Sequence, residues 1–138
     1  MITEFDKVYT AGFFDGDGCV SILKHNRDGA STIYSLHVSI RQKRRTQLDK
    51  LREKWDFLGS IHENRYKYRT YEWVIRSAKA EKFLRSILPY AQIKKDQIEI
   101  ALEFRETFPH HKGQGKRLDD ETLKRRENYY QLLQQMKK

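Results

Sequence analysis

The sequence predicts an α+β domain in which helices cover one face of a four-stranded antiparallel sheet. Three observations lead there: an apolar helical segment at the start, two pairs of strand-like segments joined by turn residues, and helical spacing between and after those pairs.

Glu4 to Phe14 carries Phe5, Val8, Tyr9, Ala11, Phe13 and Phe14, which predicts a helix buried on more than one side and ending at Gly16 to Gly18. Val20 to His25 reads as a strand, and beyond it Tyr34, Leu36, Val38 and Ile40 alternate strictly with Ser35, His37, Ser39 and Arg41. Such alternation gives one dry face and one wet face. Asn26, Asp28 and Gly29 supply turn chemistry, so the two strands are expected to pair as an antiparallel hairpin with a long loop. Leu48, Leu51, Trp55 and Leu58 recur at helical spacing up to a stop at Gly59. A second hairpin follows, opened by Ile61, with its tip near Lys67 to Thr70; on the return strand Tyr71, Trp73 and Ile75 alternate with Glu72, Val74 and Arg76. Ser77 is expected to cap a helix carrying Phe83, Leu84, Ile87 and Leu88, which Pro89 closes. A helix from about Asp96 to Phe108 should follow. After a loop with Pro109, His110, His111, Gly113 and Gly115, a last helix bears Leu123, Tyr130, Leu133 and Met136. No internal repeat is present. The 138 residues are expected to form one unit, with its core at about 4–108 and the loop and last helix at about 109–138.

Lys and Arg number 28 against 19 Asp and Glu, a formal net charge of +9, and a polyanion is the default partner of such a surface. The excess is concentrated at Arg41, Lys43, Arg44, Arg45, Lys50, Arg52 and Lys54, opposed there only by Asp49 and Glu53. The one cysteine, Cys19, excludes an internal disulfide and, with no Cys pair near a His, a structural zinc site. Cys19 itself is expected to be a small buried residue. No apolar run approaches a bilayer span and the N-terminus lacks a secretory layout, so an intracellular protein with no membrane partner and no small-molecule cofactor is expected.

Thr10-Ala11-Gly12-Phe13-Phe14-Asp15-Gly16-Asp17-Gly18 is the informative stretch. Gly12 and Gly16 are four apart and share one helix face, which lets a second helix approach to backbone contact. Asp17 should fall just beyond the C-terminal end of the helix, where exposed carbonyls and the helix dipole are already negative. Something positive belongs there, and a divalent cation held by carboxylate, carbonyl and water oxygens is the natural answer; with so few protein carboxylates Mg²⁺ is favoured over Ca²⁺.

This stretch resembles the motif of the LAGLIDADG homing endonucleases. Ala11 to Gly18 matches, Thr10 replaces the usual first Leu, and the element order is similar to the family's αββαββα fold through about Phe108. Arg41-Gln42-Lys43 resembles the segment whose Gln reaches the active site, followed by a basic residue that Arg44 or Arg45 matches. Pro89-Tyr90-Ala91-Gln92-Ile93-Lys94 resembles the segment that ends in the active-site Lys. The resemblance implies an endonuclease that makes double-strand breaks with cohesive 3′ overhangs in a long, near-palindromic DNA target, using Mg²⁺, with Mn²⁺ as a substitute. It implies Asp17 as metal ligand with the Gly16 carbonyl beside it, and Asp17, Gln42, Lys94 and Arg44 as the catalytic set. Gln42 would hold a water, and Lys94 and an Arg would offset charge developing on the phosphate. Gly12 and Gly16, with Ala11 and Phe13, would form the contact between motif helices, and Asp15 would be structural. One motif in 138 residues implies that two chains meet as a C₂ homodimer.

A two-stranded ribbon fits the major groove, where each base pair shows a distinct hydrogen-bond pattern. Ser35, His37, Ser39 and Arg41 have the donors and acceptors to read it, and strand parity adds Ser21, His25, His62, Asn64, Glu72 and Arg76. Arg65, Lys67 and Arg69 at the second hairpin tip, and Lys112, Lys116 and Arg117 in the late loop, are candidates for phosphate contacts. The alternatives are an RNA-splicing maturase on the same scaffold and a non-catalytic DNA-binding regulator; the latter would leave the acidic end of the motif without a role.

Overall fold

A capping box starts the first helix, α1 (Glu4–Asp17): Thr3 Oγ1 accepts from the Asp6 N–H at 3.1 Å, and the Asp6 carboxylate accepts from the Thr3 N–H at 3.1 Å. The helix runs further than the sequence suggests. Gly16 and Asp17 still continue it, and it ends at Gly18, whose N–H donates to the Phe14 carbonyl. A Cβ on Gly18 would lie 2.1 Å from the Phe14 ring, so the last glycine of the motif is fixed by packing.

The structure, a computed structural model, describes residues 1–108 and 119–138. After α1 come strands β1 (Gly18–Arg27) and β2 (Ala30–Gln42), helix α2 (Arg45–Lys54), strands β3 (Ser60–Asn64) and β4 (Thr70–Arg76), and helix α3 (Ser77–Ile87). A 3₁₀ turn at Leu88–Tyr90, helix α4 (Lys95–Arg105) and helix α5 (Asp120–Met136) complete the described chain. The four strands form one antiparallel sheet in the order β1-β2-β4-β3, with the helices against one face. This is the α+β architecture that the alternation and helical spacing predict.

Four details differ from the sequence reading. The β1–β2 loop is short: Arg27 pairs with Ala30, leaving Asp28 and Gly29 at the tip, with Gly29 at φ +68°. Ser77 does not cap α3 with its side chain; Arg76 stands at the cap, and Ser77 takes a left-handed φ of +56°. Gly59 lies beyond the end of α2, not next to it, and any side chain there would strike the Val74 carbonyl. Val74 alternates out of the core as expected, yet it is buried, at the base of a recess that His37, His62, Glu72 and Arg76 also line.

Phe83 on α3 is the centre of the core. Its ring lies 4.7 Å from Trp55, 5.6 Å from Trp73 and 6.0 Å from Phe14, so one residue joins α1, the C-cap of α2, α3 and β4. Thr10, where the family motif usually has Leu, is fully buried beside this cluster: its hydroxyl donates to the Asp6 carbonyl at 2.6 Å and accepts from the Trp55 indole N–H at 2.9 Å. The departure from Leu is therefore matched by a partner at the C-cap of α2.

Helix α5 closes the edge at β1. Arg126, buried with no carboxylate paired to it among the described residues, donates to the Thr107 hydroxyl and carbonyl at 3.0 and 2.9 Å and lies 3.7 Å above the Phe108 ring. Glu127 accepts from Tyr34 at 2.5 Å, Lys24 at 2.7 Å and Gln131 at 2.7 Å. Among the described residues no helix is long and apolar enough to cross a membrane.

Burial alone would raise the Glu127 carboxyl, but the hydrogen bonds from Lys24, Tyr34 and Gln131 outweigh it and hold the group at about 2, against 4.5 for the free side chain. The unfolded chain therefore takes up this proton at a higher pH than the folded one. The contribution of Glu127 to stability is complete above about pH 4.5 and is lost as pH falls toward 2. Urea unfolding at pH 5 and pH 3 should show a smaller loss of stability for Glu127→Gln than for the wild type; equal losses would place the acid sensitivity elsewhere.

Candidate functional site

The end of α1 collects the motif carboxylates beside the end of β2. Gln42 donates from its amide to the Asp17 carboxylate at 2.7 Å, across 25 residues of sequence. Asp17 is exposed and its other oxygen has no hydrogen-bond partner among the described residues. The last turn of α1 contains no basic residue, so its negative end is answered from outside the helix: Lys94 Nζ donates to the Asp15 carbonyl at 2.7 Å. Lys94 is half-buried rather than a solvated lysine at a helix end.

Asp15 explains how Lys94 arrives there. Its buried carboxylate accepts from the backbone N–H of Gln92 at 2.8 Å and of Lys94 at 3.0 Å, bracing the segment after the 3₁₀ turn against α1. The site thus joins three distant pieces of chain: α1, the end of β2, and the residues leading into α4. Arg44 stands exposed at the start of α2 with no ion pair among the described residues, whereas Arg45 is paired with Asp49 at 3.3 Å. Arg44 is thus unpaired among the described residues, while Arg45 is exposed and paired.

Gly12 and Gly16 lie on an open face of α1, where a Cβ on either would meet nothing within 4 Å. Phe5, Val8 and Tyr9 are exposed on the same helix, Phe5 by 75%. The apolar residues of α1 thus bury only one side within the chain and leave the other bare. Phe13 is half-buried, its ring 6.1 Å from Tyr9. Ala11 is a correction: it is fully buried in the chain's own core beside Phe14, a helical step away from Gly12, and cannot touch a partner helix.

All ten residues picked for a reading surface fall on the open face of the sheet. The registers set them in rows running outward from Asp17: Arg41, Glu72 and His62 first; then Cys19, Ser39, Val74 and Ser60; then Ser21, His37 and Arg76; and at the far end Ser35 and His25 on the β1–β2 side. Asn64 lies at the outer end of β3, opposite Thr70. Burial and the neighbouring Arg76 charge push His37 below the usual imidazole value, so at neutral pH it offers one donor and one acceptor. The face also includes residues that sequence parity did not bring out: Cys19, Leu23, Ile33 and Ser60. Cys19 is exposed, not buried, because it points away from the helices beside Ser39. Lys137, from the end of α5, reaches round the sheet edge to donate to Ser21 at 2.8 Å, a contact that no local pattern signals.

At the second hairpin tip Arg65 and Arg69 both pair with Glu63, at 3.1 and 2.8 Å. His110, His111, Lys112, Lys116 and Arg117 lie outside the described residues. Among the described residues no three His, Cys, Asp or Glu side chains gather into a metal cage.

This geometry has known relatives. The archaeal intron-encoded homing endonuclease I-Vdi141I, solved with DNA, superposes with a TM-score of 0.81 at 23% identity, over 96% of this chain and 84% of that one. The homing endonuclease I-CvuI, solved with its target and calcium, gives 0.80 at 18% identity, over 96% and 82%. I-SmaMI, bound to uncleaved DNA with calcium, gives 0.75 at 17% identity over 98% of this chain, which spans only 46% of that longer protein. The model of the LAGLIDADG endonuclease family matches residues 10–108, and the chain belongs to that family. No curated protein matches it in sequence.

The Asp15 brace yields a direct expectation. Asp15→Ala would leave two N–H groups without an acceptor, costing about 1–3 kcal/mol for each that stays dry. Thermal unfolding should therefore fall by several degrees, with Asp15→Asn intermediate; an unchanged melting temperature for Asp15→Ala would show that the brace is not structural.

Proposed function

We propose that two copies of this chain form a C₂ dimer that cuts both strands of a long, near-palindromic DNA duplex. The observation that carries this reading is the Gln42–Asp17 contact at 2.7 Å, because it sets a solvent-facing carboxylate at the meeting point of a bare glycine-bearing helix face and a polar sheet face. The half-length relation to I-SmaMI supports the dimer, since a chain that spans 46% of a longer relative needs a second copy to present the same amount of fold. The DNA complexes of I-CvuI and I-Vdi141I support duplex DNA as the substrate.

The donor set suits a hard divalent cation. Asp17 offers an unbonded carboxylate oxygen, the C-terminal carbonyls of α1 face the same end, and one carboxylate per chain leaves room for phosphate oxygens and water, as Mg²⁺ prefers. Asp17, with the Gly16 carbonyl beside it, would hold the ion, with Mn²⁺ as a substitute. When bound, such an ion supplies Lewis acidity at the phosphate and lowers the pKa of a bound water.

The chain's own groups do the rest. Gln42 orients the Asp17 carboxylate and can place a water with its remaining hydrogen-bonding capacity. Lys94, steadied by Asp15, puts an ammonium beside the acidic helix end, where it offsets negative charge on a phosphate; Arg44 can do the same from the start of α2. The sheet face lies in the major groove and the basic residues along the β2–α2 junction follow the backbone. Cleavage with 3′ overhangs and mobility of an intron or intein follow from the family resemblance.

Incubation with DNA from the gene's own insertion site, with Mg²⁺ or with EDTA, tests the reading: metal-dependent double-strand cleavage is expected, and binding without cleavage would point to a regulator instead. Asp17→Asn should keep site binding and lose at least a hundredfold in cutting rate, on the order expected for removing a principal charge-stabilising group; near-normal cutting would remove Asp17 from the site. A Cβ at position 12 meets nothing within 4 Å on this open face, so Gly12→Leu should stay folded by circular dichroism yet sediment as a monomer. An intact Gly12→Leu dimer would contradict the helix contact.

A further inference from the structure

The innermost row of the open face carries a chemical oddity. Glu72 is the only carboxylate among the strand residues of that face, which otherwise presents hydroxyl, imidazole, amide, guanidinium and small apolar groups. A carboxylate turned toward a polyanion is unfavourable unless it has a specific partner. Glu72 has one on its own sheet: Arg41, directly opposite on β2, donates from Nη2 to Glu72 Oε2 at 2.7 Å. Arg41 remains 57% exposed and Glu72 19%, so the guanidinium is the open member of the pair and the carboxylate keeps a narrower approach for a ligand. Because its guanidinium end stands in solvent, screening keeps the contribution of the pair to stability small, so stability alone gives weak reason for it.

We infer that Arg41 and Glu72 act together to read one G·C base pair in each half of the DNA target; this rests on the DNA-cutting function proposed above. The guanidinium has five donors and spends one on Glu72, leaving others for the O6 and N7 acceptors of guanine. The second oxygen of Glu72 has no hydrogen-bond partner among the described residues and can accept from the N4 amine of the paired cytosine. Donors followed by an acceptor complement the acceptor, acceptor, donor order of a G·C pair, and no other base pair in that orientation matches all three.

The fold also places this base pair. Arg41 directly precedes Gln42, whose amide holds Asp17, so the pair is the part of the sheet face nearest the cutting site. Successive rows on a strand are ~6.8 Å apart, about two base-pair steps, which puts the bases facing Ser39 and then His37 successively farther from the twofold axis. The G·C pair is thus the innermost one that the sheet contacts, and appears once in each half-site.

Selection of bound duplexes from a pool of fully randomised DNA, by the full chain with Ca²⁺, tests this. The wild type should enrich a symmetric consensus with G·C at the innermost specified position of each half. Arg41→Ala should erase that preference while the outer positions keep theirs, and Glu72→Gln should weaken discrimination at that position by about tenfold. A wild-type consensus with A·T or no preference there would overturn the inference alone. So would a Glu72→Gln protein whose affinity falls equally for every sequence, since that is the mark of a merely structural pair. Failure to enrich any sequence would overturn both the inference and the DNA-cutting function beneath it.

Discussion

The buried carboxylate of Asp15 is the contact on which the site depends. By accepting two backbone N–H bonds from residues 77 and 79 positions away, it fixes the segment before α4 against the end of α1 and so delivers Lys94 to the helix carbonyls. Without that tie the end of α1 would present only negative charge, from its carbonyls and from Asp17. The two aspartates of the motif divide the work: one is buried and satisfied by the backbone, and the other is exposed and steadied by a single amide from Gln42.

The same helix has two unlike sides, and the difference explains its composition. Thr10, Ala11 and Phe14 face the core, where Thr10 meets Trp55 and Phe14 meets Phe83, while a Cβ on Gly12 or Gly16 would meet nothing within 4 Å. A glycine in a helix costs about 1 kcal/mol relative to alanine, and here a Cβ would meet no obstacle. Two such glycines flanked by exposed Phe5, Val8 and Tyr9 therefore make sense on a surface that a second helix covers. In the proposed dimer that covering helix is its own copy, and the pair of Asp17 side chains follows from it.

Much of this was legible in the sequence because it rests on local periodicity. Strict alternation in β2 placed Ser35, His37, Ser39 and Arg41 on one face, and parity carried the assignment correctly to Ser21, His62 and Glu72 on other strands. What stayed hidden depends on contacts between distant segments. Lys137 reaching Ser21, Arg126 settling on Thr107 and Phe108, and the burial of Val74 on the polar face arise only once the strands and α5 are assembled. Ala11 differs from Gly12 for a simpler reason: neighbouring residues on a helix point about 100° apart, so membership of one motif does not place both on one face.

The proposed dimer requires two α1 faces to meet. Cys19 is the sole cysteine, is exposed, and lies two residues past Asp17, so a spin label there reports the distance between the two acidic helix ends. Pulsed dipolar spectroscopy on the labelled protein should give one narrow distance between chains, and that distance should vanish on dilution with unlabelled protein. No dipolar coupling, with or without DNA, would contradict the central claim.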